Sequence, residues 1–393
     1  MTKDFGLFPV SLIGSLPRSK DILYAQRQLR KGNITKKEFD DLVNKETKTV
    51  VDFQESLGVD IITSGELGRD NYCSFVCDKL GGVALMSMLE LLDYVSDKKA
   101  FEQMLDILDV PASSIKNAIC IDKLKYNGDI AVSELKLLKS LTNKKVKITL
   151  PGPYLLTRSM WLPELSKKAY ASKEELGKDV VQILIQEVKN LQAIGVDVIQ
   201  FDEPVLTEVV FTEGKPRSFM CAALSEKKDP KEELEFAKSL LKPVIDAIDN
   251  TKSISSLHVC RGNWSKNEKT LLSGSYTPLL ALFKYVNPNQ FTLEFSTPRA
   301  GDLNSYLKEE DFQKNTILGL GVINPRIDEI EDVKSIVSRA IQVLDVLDKE
   351  NLWLNPDCGF ASFSSRPVNS YDIIADKIKI MKEASKILND RYK

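Results

Sequence analysis

Residue types that bind transition metals occur at the ends of short apolar runs in the second half of the chain. His258 and Cys260 lie two positions apart at the end of one run. Glu294 lies inside a second run, and Cys358 follows a third. Zinc favours histidine, cysteine and carboxylate ligands, whereas two thiolates disfavour magnesium and calcium. Residues two apart on a strand point to the same face, so this pattern predicts a Zn²⁺ site.

The alternative interpretation of the same residues is an ordinary protein core. A histidine and a cysteine two positions apart are weak evidence alone, because free cysteine is among the most buried residue types. Glu294 argues against this alternative, since a carboxylate in an apolar strand needs a partner and a metal is the simplest one. A closed zinc site with four protein ligands and no catalytic role also stays open.

A second group of polar residues is acidic. Glu66, Asp202 and Glu203 follow two other apolar runs. One of these carboxylates could cap a helix, but acids at two strand ends predict a cationic ligand group, such as the ammonium of an amino acid. Ser15, which follows Gly14 after the first run, could contact the carboxylate of the same ligand.

Eight short runs rich in valine, isoleucine, leucine or phenylalanine alternate with helical patterns. They cover 8–13, 59–63, 146–150, 196–201, 254–259, 290–295, 317–322 and 352–355. Few charges in such runs are typical of strands buried on both faces. Alternation of strands and helices implies parallel pairing with right-handed crossovers. The sequence therefore predicts an α/β fold, a (β/α)8 TIM barrel whose site lies at the carboxyl ends of its strands.

The longest departure from this alternation lies between the second and third runs. We expect one barrel domain over 1–393, with an inserted subregion at about 71–145 over the barrel mouth. Patterns within it predict helices at 83–95 and 99–108 and an extended piece near 119–124. The lysine-rich stretch 135–147 is interpreted as a solvated helix face.

Composition excludes several classes of function. The 393 residues carry a formal charge of −2, so no basic field would attract nucleic acid. No apolar run approaches the roughly 20 residues of a membrane span, and no signal-peptide pattern begins the chain, so we expect a cytoplasmic protein. Its six cysteines should then be reduced. The single histidine, His258, excludes chemistry that needs two histidines from one chain.

Seven strings of the sequence resemble the cobalamin-independent methionine synthase superfamily, in chain order. They are IGSLP (13–17), SGELGRD (64–70), LPGPY (150–154), IQFDEP (199–204), LHVCRGN (257–263), GLGVINPR (319–326) and LWLNPDCGF (352–360). The resemblance is to the catalytic C-terminal barrel of that superfamily and covers nearly the whole chain. The fifth and seventh strings are similar to those of its single-barrel branch, methionine synthase II.

The resemblance implies a methyltransferase that activates L-homocysteine as a zinc thiolate and methylates it to methionine. Its zinc ligands map onto the four residues described above, His258, Cys260, Glu294 and Cys358. Its homocysteine contacts map onto Ile13, Ser15, Glu66 and Asp202, of which Glu66 and Asp202 are the catalytic candidates because they would fix the substrate ammonium. A further acidic position of the family maps onto Glu208.

Two departures from the family pattern leave the methyl donor open. The region after the seventh run has no histidine, and the tryptophan expected against a folate has only Trp161 nearby. The donor is then methyltetrahydrofolate or a methylated corrinoid protein. A homo-oligomer is compatible with these features.

Two other enzymes are alternatives to a homocysteine methyltransferase. One is a zinc alkyltransferase acting on another thiol such as coenzyme M, with Arg18, Arg69 and Arg261 as candidate contacts for its sulfonate. The other is a zinc-free decarboxylase of the uroporphyrinogen type, which would leave Cys260 and Cys358 unused.

Overall fold

The structure is a computed structural model that describes residues 4–94, 98–99, 116–211, 229–263, 265–307 and 316–393. Its strands are β1 (Ile61–Ile62), β2 (Leu80–Ser87), β3 (Lys116–Tyr126), β4 (Lys145–Pro151), β5 (Val198–Asp202), β6 (Ile254–Val259), β7 (Gln290–Leu293), β8 (Ile317–Ile323) and β9 (Leu352–Pro356). β1 and β4 to β9 form one curved parallel sheet in chain order. β2 and β3 form a separate antiparallel pair.

A short segment near the N-terminus closes this sheet into a barrel. Val10 forms a parallel bridge with Leu354 of β9, and Ser11 forms one with Ile61 of β1. The predicted first strand is therefore present only as bridging residues, and the backbone at Phe8, where the predicted run begins, lies in the left-handed region with φ 50°. With this segment the eight predicted runs occupy eight barrel positions, which confirms the predicted barrel.

Helices alternate with the strands and pack against the outside of the barrel. They are α1 (Lys20–Arg30), α2 (Lys36–Ser56), α3 (Met88–Leu91), α4 (Val132–Leu141), α5 (Pro153–Met160), α6 (Pro163–Ser166), α7 (Lys173–Ile194), α8 (Val205–Phe211), α9 (Pro230–Asp246), α10 (Leu280–Val286), α11 (Leu303–Leu307), α12 (Val333–Leu344) and α13 (Tyr371–Tyr392). Single 3₁₀ turns occur at Ser74–Asp78, Leu92–Tyr94, Glu268–Thr270, Thr277–Leu279, Pro298–Ala300 and Lys349–Asn351. Local sequence fixes several boundaries: Thr35 and Glu38 form a capping box that begins α2, and Gly195 ends α7 with φ 91°.

Part of the inserted subregion folds differently from its helical pattern. β2 pairs with β3 from Leu80 opposite Tyr126 to Ser87 opposite Lys116. The prediction of a helix beginning at position 83 is therefore wrong as far as Ser87, because cross-strand pairing outweighs local periodicity there. The extended piece near 119–124 is confirmed within β3. The helix predicted at 99–108 lies outside the described residues apart from its first position.

One lysine of the stretch interpreted as a solvated helix face lies inside the barrel. Lys147 is in β4, is 3% exposed, and its Nζ donates to Ser11 Oγ at 3.0 Å and to the Leu12 carbonyl. Burial lowers the pKa of Lys147 to about 7, against the opposing charges of Asp202 and Glu66. The interpretation is wrong for this residue, because alternate side chains of a barrel strand point inward regardless of charge.

A buried arginine ties together three loops at the carboxyl ends of the strands. Arg18 donates from Nη1 to the carbonyls of Leu16 and Ala361, and from Nη2 to those of Glu66 at 2.7 Å and Arg69 at 3.0 Å. These carbonyls lie in the loops after the first barrel segment, β1 and β9. The guanidinium thereby fixes the backbone that carries the candidate site.

We predict that Arg18→Met lowers the free energy of unfolding by about 3 kcal/mol, because it leaves buried carbonyls without donors. Guanidinium denaturation followed by circular dichroism measures this change. Arg391→Met, at an exposed position of α13, is the matched control and should change stability by less than about 0.5 kcal/mol. Equal stability of the two variants would contradict the role of Arg18.

Candidate functional site

Three of the four predicted metal ligands converge at the carboxyl ends of β6 and β9. His258 lies in β6, Cys260 directly follows it, and Cys358 follows β9. One ligand atom from each lies within 4.8 Å of the other two, and all three residues are buried. The two Sγ atoms are 3.9 Å apart. Since zinc bonds of about 2.0–2.3 Å place neighbouring ligand atoms only slightly closer, this donor set fits a zinc ion.

The imidazole of His258 is oriented by a carboxylate behind it. Its Nδ1 donates to Asp202 Oδ1 at 2.9 Å, and its Nε2 lies 3.3 Å from the Asp357 carbonyl. Gln200 Nε2 also donates to Asp202 Oδ1, at 2.8 Å. Histidines that bind metals commonly donate their second N–H to a carboxylate in this way. Asp202 therefore contacts His258 and also lines the pocket in which we expect it to contact the substrate.

The surroundings of the three ligands shift their pKa values in different directions. Burial lowers the pKa of His258, but the hydrogen bond and charge of Asp202 outweigh it and raise this pKa to about 9. A hydrogen bond from the Cys358 thiol lowers the pKa of Cys260 to about 7 despite burial. The same bond, together with burial, raises the pKa of Cys358 well above its usual range. Cys260 is thus the more readily ionised of the two thiols.

Glu294 is not part of this group of three. Its Oε1 accepts from Arg326 Nη2 at 2.8 Å and from Arg299 Nη2, while its Oε2 accepts from the Arg261 backbone N–H at 2.8 Å. Burial raises the pKa of Glu294, but the arginines outweigh it and hold this pKa below its usual range. Arginines already offset this buried charge, so the charge alone is not evidence for a metal, and the role of Glu294 as a fourth ligand stays a prediction.

Seven of the eight predicted site residues line one pocket of about 730 Å³. They are Ile13, Ser15, Glu66, Asp202, His258, Cys260 and Cys358. Further walls come from the loop after β1, from the start of β3 and from the loop after β9, including Tyr72, Asn117 and Phe363. The barrel therefore brings the metal-binding group and both acidic candidates to a single cavity.

Glu66 enters this pocket from a strained backbone position. The φ angle of Glu66 is 57° and that of Gly65 is 74°. Residues other than glycine rarely adopt such an angle, so the surrounding structure must constrain the backbone at Glu66. Glu66 Oε1 accepts from Thr149 Oγ1 at 2.7 Å, whereas Oε2 is buried and has no partner among the described residues. Burial raises the pKa of Glu66, with Arg69 opposing it. A buried carboxylate oxygen without a donor is suited to receive a ligand's ammonium.

Ser15 lies against the loop that carries Cys358. Its Oγ accepts from the Ala361 backbone N–H at 3.3 Å, and its backbone bridges Gly65. A Cβ atom on Gly359 would lie 2.2 Å from Ser15 Oγ. Glycine at position 359 thus allows the serine and the cysteine loop to approach closely.

Asn263 is a pocket residue that sequence reasoning missed. Its Nδ2 donates to the Gly359 carbonyl at 2.7 Å, while its Oδ1 is buried and has no partner among the described residues. It lies three positions after Cys260, at the end of the string that resembles the family. That position is the only sequence signal that could have identified it.

Other acidic and aromatic candidates have structural roles. Glu203 accepts from the backbone N–H of Tyr154 at 2.8 Å and caps α5, and burial raises its pKa to about 8. Glu208 pairs with Arg158 at 3.4 Å. Trp161 follows α5, packs against the core and is not part of the pocket lining.

The arginines considered for a sulfonate are occupied by other contacts. Arg18 binds backbone carbonyls, Arg69 pairs with Glu134 at 3.0 Å, and Arg261 donates to the carbonyls of Gly274 and Ala300. None of the three arginines lines the pocket.

Comparison with known proteins gives one family and several relatives. A family model described as the catalytic domain of cobalamin-independent synthase matches residues 8–386. The chain is 25% identical over 382 residues to a 5-methyltetrahydropteroyltriglutamate–homocysteine methyltransferase of Bacillus licheniformis, covering 96% of this chain and 43% of the relative. It is 24% identical over 363 residues to a methionine synthase of Sulfolobus acidocaldarius, covering 91% and 87%. The chain thus spans less than half of the first relative.

Solved structures share the fold over the whole chain. A B12-independent methionine synthase from a Shewanella species, in complex with selenomethionine, has a TM-score of 0.69 at 18% identity and covers 98% of this chain and 99% of its own. A methyltransferase from Methanosarcina mazei has a TM-score of 0.54 at 13% identity, covering 98% and 94%. In the part of the chain that the structure describes, no helix is long and apolar enough to cross a membrane.

We predict that Cys358→Ser weakens zinc affinity by more than about 100-fold. Loss of a residue that hydrogen-bonds to a metal ligand weakens affinity by roughly 10- to 100-fold, and loss of the ligand itself should weaken it further. Competition with a chromophoric chelator measures the affinity, and elemental analysis measures the bound zinc. Cys77→Ser, a half-buried thiol outside the group, is the control and should leave the affinity unchanged. Undiminished zinc binding by the Cys358 variant would contradict the assigned ligand.

Proposed function

This chain belongs to the cobalamin-independent synthase family, and we propose that it is a zinc-dependent methyltransferase that methylates the thiol of L-homocysteine to give methionine. The observation that carries this proposal is the shared pocket. The metal-binding group of His258, Cys260 and Cys358 lies in the same cavity as Glu66 and Asp202. The cavity can therefore bind a substrate that carries a thiol at one end and an amino-acid head group at the other.

The donor set suits an ion that activates a thiol. A free thiol with a pKa near about 8.5 is only slightly ionised at neutral pH, and a bound zinc ion would supply the charge that deprotonates it. Asp202 holds the ring of His258, and Cys358 donates to Cys260, so the ligands are already oriented. Two thiolates leave the site electron-rich, and the substrate sulfur would stay nucleophilic.

The remaining pocket residues orient the substrate. Glu66 Oε2, which has no partner among the described residues, would accept from the ammonium, and Asp202 would add a second negative charge. Ser15 Oγ would donate to the substrate carboxylate, and Ile13 would contact its methylene groups. Holding both ends of homocysteine places its sulfur at the metal-binding group, which lowers the entropic part of the barrier.

The coenzyme M alternative is less well supported. That thiol carries a sulfonate, which requires cations, but Arg18, Arg69 and Arg261 all bind other groups and none of them lines the pocket. Glu66 and Asp202 would repel a sulfonate. The proposed methyl donor is methyltetrahydrofolate or a methylated corrinoid protein.

The proposal predicts that X-ray absorption at the zinc edge shows one zinc ion per chain, with one more sulfur ligand after homocysteine is added. Coenzyme M at the same concentration serves as the comparison thiol and should leave the spectrum unchanged. Transfer of a labelled methyl group to a mixture of the two thiols should give mainly methionine. A zinc environment indifferent to homocysteine would contradict the proposed function, and equal response to both thiols would reject the assigned substrate.

For Glu66→Gln we predict a rise of about 10- to 100-fold in KM for homocysteine with a smaller change in kcat, because a charged hydrogen bond to the ammonium is lost. Since burial raises the pKa of Glu66, the wild-type KM should also rise as pH falls towards that pKa, and this dependence should disappear in the variant. Steady-state kinetics across pH measure both effects.

The control for this variant is Glu232→Gln, at an exposed position of α9. It should match the wild type at every pH. An unchanged KM in Glu66→Gln, or the same loss in both variants, would contradict the role of Glu66.

A further inference from the structure

Two chains of hydrogen bonds hold Glu66, and both start from one residue that does not line the substrate pocket. That residue is Glu134, in the first turn of α4, whose side chain is 22% exposed. It lines a separate groove, together with residues of α2 and of the loop after β1. The substrate contacts proposed above do not include Glu134.

The first chain of hydrogen bonds controls the side chain of Glu66. Glu134 accepts from Arg69 twice, from Nε at 3.1 Å and from Nη2 at 3.0 Å. Arg69 Nη1 donates to Thr149 Oγ1 at 3.1 Å, and Thr149 Oγ1 donates to Glu66 Oε1 at 2.7 Å. A bidentate pair of guanidinium and carboxylate is geometrically specific, so Glu134 determines where Arg69 lies. This chain occupies Oε1 of Glu66 and leaves Oε2 without a partner among the described residues.

The second chain of hydrogen bonds controls the backbone of Glu66. Ser64 Oγ donates to Glu134 Oε1 at 2.5 Å and accepts from the Glu66 backbone N–H at 3.0 Å. Glu66 has a φ angle of 57°, and a conformation of this kind persists only where surrounding contacts fix it. The bond between its N–H and Ser64 is such a contact, and the carboxylate of Glu134 orients the serine hydroxyl.

Helix stability accounts for a carboxylate at position 134 but not for its partners. An acidic residue in the first turn of a helix interacts favourably with the helix dipole. The dipole does not require a buried guanidinium beside the acid, yet Arg69 is 3% exposed and its Cζ lies 4.2 Å from the ring centroid of Phe75. Both chains end on one pocket residue, Glu66, at its backbone and at its carboxylate. This shared end point indicates a role in positioning Glu66.

We propose that Glu134 is a positioning residue for the ammonium site, which acts on Glu66 without touching the substrate. This inference rests on the proposed function and extends it to a residue outside the pocket. Because Glu134 holds the network in place, Glu66 Oε2 is ordered before the substrate arrives, and binding does not have to order it. Without Glu134, Arg69 loses two acceptors and is free to pair with Glu66 Oε1, which lies 3.8 Å from its Nη1. That pairing would compete with the substrate ammonium.

Glu134→Gln tests this proposal, because the change keeps the shape of the side chain and removes its charge. In calorimetric titrations of zinc-loaded protein, the variant should bind homocysteine about 10-fold more weakly than the wild type does. 4-Mercaptobutanoate, which is homocysteine without its amino group, has no ammonium for Glu66. It should therefore bind the variant and the wild type equally, to within about twofold. The KM for homocysteine should rise about 10-fold, with kcat changed by less than about twofold.

A double-mutant cycle with Glu66→Gln separates positioning from general damage to the fold. In the Glu66→Gln background, Glu134→Gln should weaken homocysteine binding by less than about twofold, because the group that it positions has lost its charge. Glu383→Gln, at an exposed position of α13, is the matched control and should bind both thiols as the wild type does.

Three results would overturn the positioning role of Glu134. They are unchanged homocysteine binding in Glu134→Gln, equal losses for homocysteine and 4-mercaptobutanoate, and the same loss with and without Glu66→Gln. Failure of the proposed function would be visible in the wild type itself. A wild type that binds homocysteine no more tightly than 4-mercaptobutanoate would refute the proposed ammonium contact, and the role of Glu134 with it.

Discussion

Closure of the parallel sheet decides which residues can share the site. The bridges of Val10 and Ser11 join β9 to β1 and close the seven strands of the parallel sheet into a ring. Only in a ring do His258 and Cys358, which are 100 positions apart, come within metal-binding distance from β6 and β9. The same ring brings Glu66 to the cavity that they line. Loss of closure would separate these groups even if every strand and helix still formed.

Buried charge at the mouth of this barrel is balanced locally. Glu294 is paired with Arg326 and Arg299, and Arg18 is held by backbone carbonyls, so these groups stabilise the loops. The pocket itself differs, because Glu66 Oε2 and Asn263 Oδ1 have no partners among the described residues. Buried polar atoms without partners lower the stability of the fold, and they are retained where a bound ligand supplies the missing hydrogen bond. The contrast between paired walls and unpaired pocket atoms marks where a ligand would bind.

Close approach of backbone and side chain shapes the pocket. A Cβ atom on Gly14 would lie 2.2 Å from Glu66 Oε1, and one on Gly359 would lie equally near Ser15 Oγ. The insertion adds β2 and β3 beside the barrel, and Lys116 at the start of β3 lines the pocket. One part of the site is thus built by the barrel and another by the inserted hairpin.

The sequence by itself determined the barrel, because strand runs and helical periods are local patterns that depend on neighbouring residues. It also determined the candidate residues, because His258, Cys260 and Cys358 follow recognisable strands. Only the tertiary structure decided the partners of buried charges. It paired Glu294 with arginines, placed Lys147 inside the barrel and turned the start of the insertion into a hairpin. These outcomes depend on contacts between residues distant in the chain, and no local pattern in the sequence specifies which buried charged residues will pair.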